Sequence, residues 1–299
     1  MCPASCAMRY ALYSMQFFKP YLTLCRIGVS ALAACSAATG YILSSHHPSP
    51  AMMVPAVAVF LLACGSSALN QVQERRTDAL MERTRQRPLP AGAMGPPHAL
   101  IVSLMLMAAG LFLLGTAGPV PVALGLSAIL WYNGLYTWLK KKTAFAAVPG
   151  AVIGAVPPAI GWTAAGGALP DARLFALCVL FFLWQVPHFW LLVLRHGDEY
   201  VQAGLPSLGK VFSKRQLERL TFVWTIATAA TTIALPLYGL TKSPTVYLLF
   251  IPASLWLAGI STVLLRREML PAAYLSTFRR INIYLLIIMA ALSLDSLIA

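Results

Sequence analysis

Long apolar runs, repeated from one end of the chain to the other, leave this sequence very few folds to adopt. Nine of them, at about residues 24–45, 52–72, 98–117, 119–139, 145–166, 172–194, 218–239, 244–265 and 279–298, reach roughly the 20 residues a helix needs to cross a bilayer. Lipid cannot satisfy backbone N–H and C=O groups, so spans of this length must be helices; barrel strands would be short and alternating. The fold expected is all-α, a polytopic bundle of nine transmembrane helices. The composition agrees, with 59% hydrophobic and only 10% charged residues, outside the soluble globular range. No stretch between the runs is long enough for a second core, so residues 1–299 are expected to form one domain. Residues 1–20 lack the charged-then-apolar pattern of a signal peptide and are expected to lie at the interface. Cys2, Cys6, Cys25, Cys35, Cys64 and Cys178 form no CxxC pair, which suggests small buried hydrophobes rather than a metal site or a disulfide frame.

The charges sort by side. With nine crossings, all 22 Lys and Arg residues except Arg173 and Lys242 fall on the side of the N-terminus. The positive-inside rule then places that side, and the N-terminus, in the cytoplasm and the C-terminus outside. The net charge of +13 is thus mainly a topology signal, and without a soluble basic domain it implies no nucleic-acid partner.

The acids need another reason. Glu74, Asp78, Glu82, Asp198, Glu199, Glu218 and Glu268 share the basic side, and five of them fall in two tight groups. In "NQVQERRTDALMERTRQRP" Asn70, Glu74 and Asp78 recur every four residues, which puts them on one face of a helix, with Glu82 continuing the row. Such oxygens suit magnesium, which is held by one or two carboxylates together with waters and substrate phosphates. Asp198 and Glu199, in "RHGDEY", end the sixth run on the same side. Two facing half-sites could clamp a diphosphate through bridging metal while loop cations neutralise its remaining oxygens. The plainer alternatives are a helix end carrying surface salt bridges and an ordinary loop.

Asn70-x3-Glu74-x3-Asp78 resembles the first aspartate-rich motif of the UbiA-type intramembrane prenyltransferases. Within them, "NQVQERRTDALMERTRQRPLPAG", "YTWLKKKT", "GAVPPAIGWTAAGG" and "WQVPHFWLLVLRHGDEYVQAGLPSL" are similar to the protohaem IX farnesyltransferase branch, over nearly the whole chain from about residue 20. The sequence departs from that pattern at Leu24-Cys25-Arg26, at Glu74 where aspartate is common, at "AFAAVPGA" and at Ser207-Leu208-Gly209.

The resemblance implies nine helices around a cytoplasm-facing cavity in a bacterial inner membrane. It implies transfer of farnesyl from farnesyl diphosphate to a vinyl group of haem B, giving haem O for a downstream haem A synthase or terminal oxidase. Asn70, Glu74, Asp78, Asp198 and Glu199 would be catalytic and hold Mg2+. Arg83, Arg87, Lys140, Lys141, Tyr136, Arg195 and Tyr200 would bind substrate. The allylic cation needs a dry chamber with aromatic faces, for which Tyr132, Tyr136, Trp138, Trp184, Phe189 and Trp190 are candidates. His188 lies inside a span, where ionisable groups are costly and point to function. It is expected to ligate or orient haem, against a plain hydrogen bond to a neighbouring helix. Two other functions stay open: prenylation of an aromatic quinone precursor, and a transporter or haem-carrying scaffold. The latter would place its polar groups near the midplane instead of gathering them at one mouth.

Overall fold

The structure, a computed structural model, describes residues 18–47, 49–266 and 271–298. Most of the expected interfacial lead-in (residues 1–17), with Cys2, Cys6 and Arg9, lies outside these, as do Arg267 and Glu268. The described residues are helical with short connections. After a helical segment at 18–24, the long helices are α1 (Ile27–Ser45), α2 (Met53–Asp78), α3 (Pro96–Gly115), α4 (Pro119–Ile129), α5 (Val152–Ala164), α6 (Ala172–Gln202), α7 (Lys214–Ala234), α8 (Pro244–Ser261) and α9 (Pro271–Ile298).

Local chemistry sets many of the boundaries. Asp171, Ser213 and Ser243 cap α6, α7 and α8 through side-chain oxygens that accept from backbone N–H groups of the first turn, and Ser213 with Gln216 forms a reciprocal capping box. Prolines open α3, α4 and α8, where the missing N–H is needed by nothing. α5 carries Pro157 and Pro158 inside it, and the break just before it falls at Ala151.

Among the described residues eight helical stretches are long and apolar enough to cross a membrane, so the chain is an integral membrane protein. The fourth expected span is built differently. Its regular part is 11 residues, Pro119–Ile129, after which the chain widens into a π-helix at Leu130–Tyr136 and ends in a short α-turn, Thr137–Leu139. Two other spans differ in extent from the sequence reading. α2 runs on through Asp78, so Asn70, Glu74 and Asp78 share one helix. α6 continues to Gln202 across a kink at His196, whose backbone leaves the helical region (φ −123°, ψ 18°).

Consecutive helices pack against each other in order, α9 closes the ring on α1, and α1 with α5 and α6 with α9 pack across the middle. The α1–α5 contact is backbone on backbone. A Cβ added to Gly40 or Gly161 would overlap the carbonyl of Pro158 or Ala37, the small-residue packing that lets helices associate where no hydrophobic drive exists between them. The largest apolar core joins α5, α6, α7, α8 and α9 around Trp162, Phe250, Tyr274 and Tyr284. Cys25 and Cys64 are buried as expected and Cys178 half-buried, whereas Cys35 faces outward.

Candidate active site

The candidate site gathers where α2 and α6 end and where the π-helix after α4 gives way to the Thr137–Leu139 turn. Asn70, Glu74 and Asp78 are 5%, 5% and 1% exposed, far below what surface salt bridges would show. Each is held by a partner distant in sequence or across a loop. Glu74 pairs with Lys140, which follows the short Thr137–Leu139 turn. Asp78 Oδ2 receives Arg87 Nη1 at 2.7 Å, and the Asp78 carbonyl accepts from Thr84 Oγ1 at 2.8 Å, which folds the connecting loop back over the acid. Asn70 Nδ2 donates to Thr137 Oγ1 at 3.2 Å, and Thr137 donates onward to the Tyr132 carbonyl. The amide nitrogen is thereby used and the Asn70 oxygen is left as the available ligand atom.

The second acidic group splits. Glu199 reaches the loop after α2: its Oε2 accepts from the Arg83 backbone N–H at 3.0 Å, and Oε1 lies 2.9 Å from His196 Nδ1. Tyr200 OH lies 3.5 Å from Arg83 Nη2. Asp198 and Arg195 are exposed and make no side-chain hydrogen bond or ion pair among the described residues. Arg83 itself is exposed. Lys141 parts company with Lys140 and lines an open cavity of about 540 Å³ with Gln73, Arg75, Arg76, Thr77, Gly204 and Leu205.

Aromatic rings run inward from Lys140, whose Nζ lies 5.6 Å from the Tyr136 ring centre. Tyr136 stacks on Tyr132 at 5.7 Å and on Phe189 at 5.9 Å, with interplanar angles of 16° and 21°. Phe189 meets His188 edge-on at 5.8 Å, and His188 packs against Trp184 and Phe278 at 4.8 and 4.6 Å. His188 Nδ1 lies 2.9 Å from Asn282 Oδ1 on α9. This is a continuous aromatic wall from the acids to a histidine inside a span. Two of the six expected chamber aromatics stand outside it: Trp138 is 56% exposed, and Trp190 packs on Trp224.

Several contributors had little sequence signal. Asn133, in the π-helix, donates to the Ser66 carbonyl at 2.9 Å, and Gln73 Nε2 donates to the Asn133 carbonyl at 2.9 Å. Together they lock α4 onto α2 beside the acids, in keeping with the habit of π-turns to mark functional sites. Arg26 has a left-handed backbone (φ 46°) and brings its guanidinium beside the Tyr132 hydroxyl. Only its place at a departure from the family pattern drew attention to it. Phe278 and Asn282 flank the Arg279-Arg280 pair where the last apolar run begins, and neither belongs to a motif or a spacing.

The donor set suits magnesium. Among the described residues no three His, Cys, Asp or Glu side chains converge to hold a metal alone. Two buried carboxylates and one free amide oxygen remain, and water and phosphate oxygens would complete the shell, as this hard ion prefers.

The UbiA prenyltransferase family model matches residues 10–292. A Protoheme IX farnesyltransferase of Geobacter sulfurreducens is 45% identical over 226 residues, covering 73% of this chain and 81% of its own. Another, from Oleidesulfovibrio alaskensis, is 37% identical over 277 residues, covering 92% and 96%. Among solved structures, a UbiA homolog from Archaeoglobus fulgidus bound to GPP and Mg2+ superposes with a TM-score of 0.69 at 15% identity, covering 94% of this chain and all of that one.

Proposed function

The chain belongs to the UbiA prenyltransferase family, and on that premise we propose that it transfers the farnesyl group of farnesyl diphosphate to a vinyl group of haem B, giving haem O. The observation that carries this reading is the buried Asn70–Glu74–Asp78 face continued by an aromatic wall to an intramembrane histidine. An anionic leaving group belongs at its mouth, a cation along the wall, and an iron porphyrin at its deep end.

Asn70, Glu74 and Asp78 would hold magnesium, which supplies charge neutralisation to the departing diphosphate. Lys140 and Arg87, now on the two carboxylates, would donate to diphosphate oxygens, with Arg83 and Tyr200 closing the loop side and Glu199 holding that loop in place. Donors fixed where charge develops are the largest single contribution such a site can make. The C–O bond of the prenyl diphosphate breaks, and the faces of Tyr132, Tyr136 and Phe189 stabilise the allylic cation and keep it from water. The vinyl terminal carbon bonds to the farnesyl carbon; water then captures the remaining cation and loses a proton, leaving a hydroxyl. Exposed beside the kink, Asp198 would hold magnesium, and Arg195 the oxygens, of the diphosphate arriving from solution. The same reading takes residues 119–139 as a ninth crossing, with the site facing the cytoplasm, the N-terminus inside and the C-terminus outside an inner membrane, and haem O passing to a haem A synthase or terminal oxidase.

Mass spectrometry of the haems in a bacterial host lacking its own synthase tests this directly. Haem O should appear only when this chain is expressed. If the purified chain instead alkylates 4-hydroxybenzoate and leaves haem B unchanged, the quinone-precursor reading holds in its place.

A further inference from the structure

The polar atoms at the deep end of the aromatic wall fix where a proton sits. Asn282 Nδ2 donates to the Phe278 carbonyl at 2.7 Å. A carbonyl can only accept, so the Asn282 amide cannot be turned the other way, and its oxygen must be the atom facing His188. That oxygen lies 2.9 Å from Nδ1 and also only accepts, so Nδ1 carries the hydrogen. The rings packed on His188, Trp184, Phe189 and Phe278, offer no carboxylate to hold a second proton, and the charge acting on it, Arg26, is itself positive. The lone pair is left on Nε2, on a half-buried side chain.

Resting on the haem reading above, we propose that His188 Nε2 binds the iron of the metalloporphyrin acceptor, and that Asn282 is the positioning residue that sets this tautomer and ring orientation. Neutral imidazole is the common protein ligand for iron, and a metal-bound histidine almost always donates its other N–H to a carbonyl, carboxylate or water. Asn282 provides that acceptor from a different helix, 94 positions along the chain. Trp184 and Phe278 pack on the imidazole at 4.8 and 4.6 Å and hold its ring in place. Iron held here would anchor the acceptor at the deep end, leaving the surrounding wall to select which vinyl edge faces the cation.

Ferrous haem B bound to the purified full-length protein gives the test, through the iron–imidazole stretch in resonance Raman spectra and the Soret band. The wild type should show the band. His188→Gly should lose it and regain it with added imidazole. Asn282→Leu should move it to lower frequency and raise the KM for haem B about 10- to 100-fold, the range for lost second-sphere bonds, with a smaller change in kcat. Asn282→Asp, a stronger acceptor of the same shape, should move it to higher frequency and restore the KM. An unchanged band in His188→Gly, or one frequency in both Asn282 variants, overturns the assignment. Haem O made by His188→Gly at the wild-type KM overturns the ligand assignment while leaving the proposed function standing. A wild type that binds no haem overturns both.

Discussion

Asp78 is 1% exposed and bonded to Arg87 at 2.7 Å, so the two partners answer differently to loss. Arg87→Met strands a buried carboxylate, a change that typically costs about 3–5 kcal/mol, and thermal unfolding in detergent should show a marked drop in Tm. Asp78→Asn and Glu74→Gln keep the shape and remove charge. Each should leave the protein in the membrane at wild-type yield but cut turnover of farnesyl diphosphate on the order of 10²–10³-fold, the range for losing one charge-stabilising group. Retained turnover in both would sink the metal-clamp reading. The residues of this face were legible because a four-residue spacing is a local property of one helix. Their partners were not. Thr137 stands 67 positions from Asn70, and Asn282 stands 94 from His188; no periodicity carries a contact made by the packing of different helices. Asp198 and Glu199 are neighbours in sequence, yet only Glu199 reaches the loop. The kink at His196 decides which of two adjacent side chains turns inward, and no residue type announces it.

Helices meet here by close backbone approach, and that can be separated from composition. Gly161→Ala puts a methyl group onto the Ala37 carbonyl, whereas a Cβ on Gly259 would meet nothing within 4 Å. The first should destabilise by about 1–3 kcal/mol, the usual cost of overpacking, and the second should be near neutral or stabilising for its helix; detergent Tm values compare them. The loop after α2 is an element in its own right, pinned by Thr84 on the Asp78 carbonyl and by Glu199 on the Arg83 N–H. Removing the pin in Glu199→Ala should free the backbone at the already exposed Arg83 and Arg85 to enter trypsin, and cleavage there should outpace the wild type several-fold under native conditions. Element type was readable nearly everywhere, because apolar runs of this length admit only helix. Element extent was harder: α2 and α6 run past their apolar runs into charged sequence, carried by buried partners that hydropathy does not register.

For the whole molecule, the two ends of the bundle are held by different chemistry. Opposite the acidic mouth, Asp295 on α9 accepts from the backbone N–H groups of Lys242 and Ser243 at 2.7 and 3.0 Å, and His46 at the end of α1 meets Ser296 at 3.0 Å. Burial, with Lys242, Arg173 and His47 nearby, pushes the His46 imidazole below its ordinary value. The folded protein therefore prefers neutral His46. The stability this brings is present above about pH 6.5, the unfolded value, and fades as pH falls below it; His46→Gln should flatten that part of a Tm-against-pH profile.

The fourth segment decides the topology of everything after it. If residues 119–139 did not cross, Lys140, Lys141, Lys142, Arg195 and the basic residues beyond would move to the opposite face, against the positive-inside rule. Glu199 would then be separated by the bilayer from Arg83, whose backbone N–H it accepts at 3.0 Å, and Lys140 from Glu74, with which it pairs. A π-helical segment can cross because its backbone groups still bond internally and its polar Asn133 is buried against α2. Single cysteines at Ala117 and Lys142, in a chain otherwise free of cysteine, read the outcome. With a membrane-impermeant maleimide, Ala117→Cys should label on intact spheroplasts and Lys142→Cys only after permeabilisation. Labelling of both from one side would mean that the segment re-enters instead of crossing, and that the C-terminus shares a side with the N-terminus.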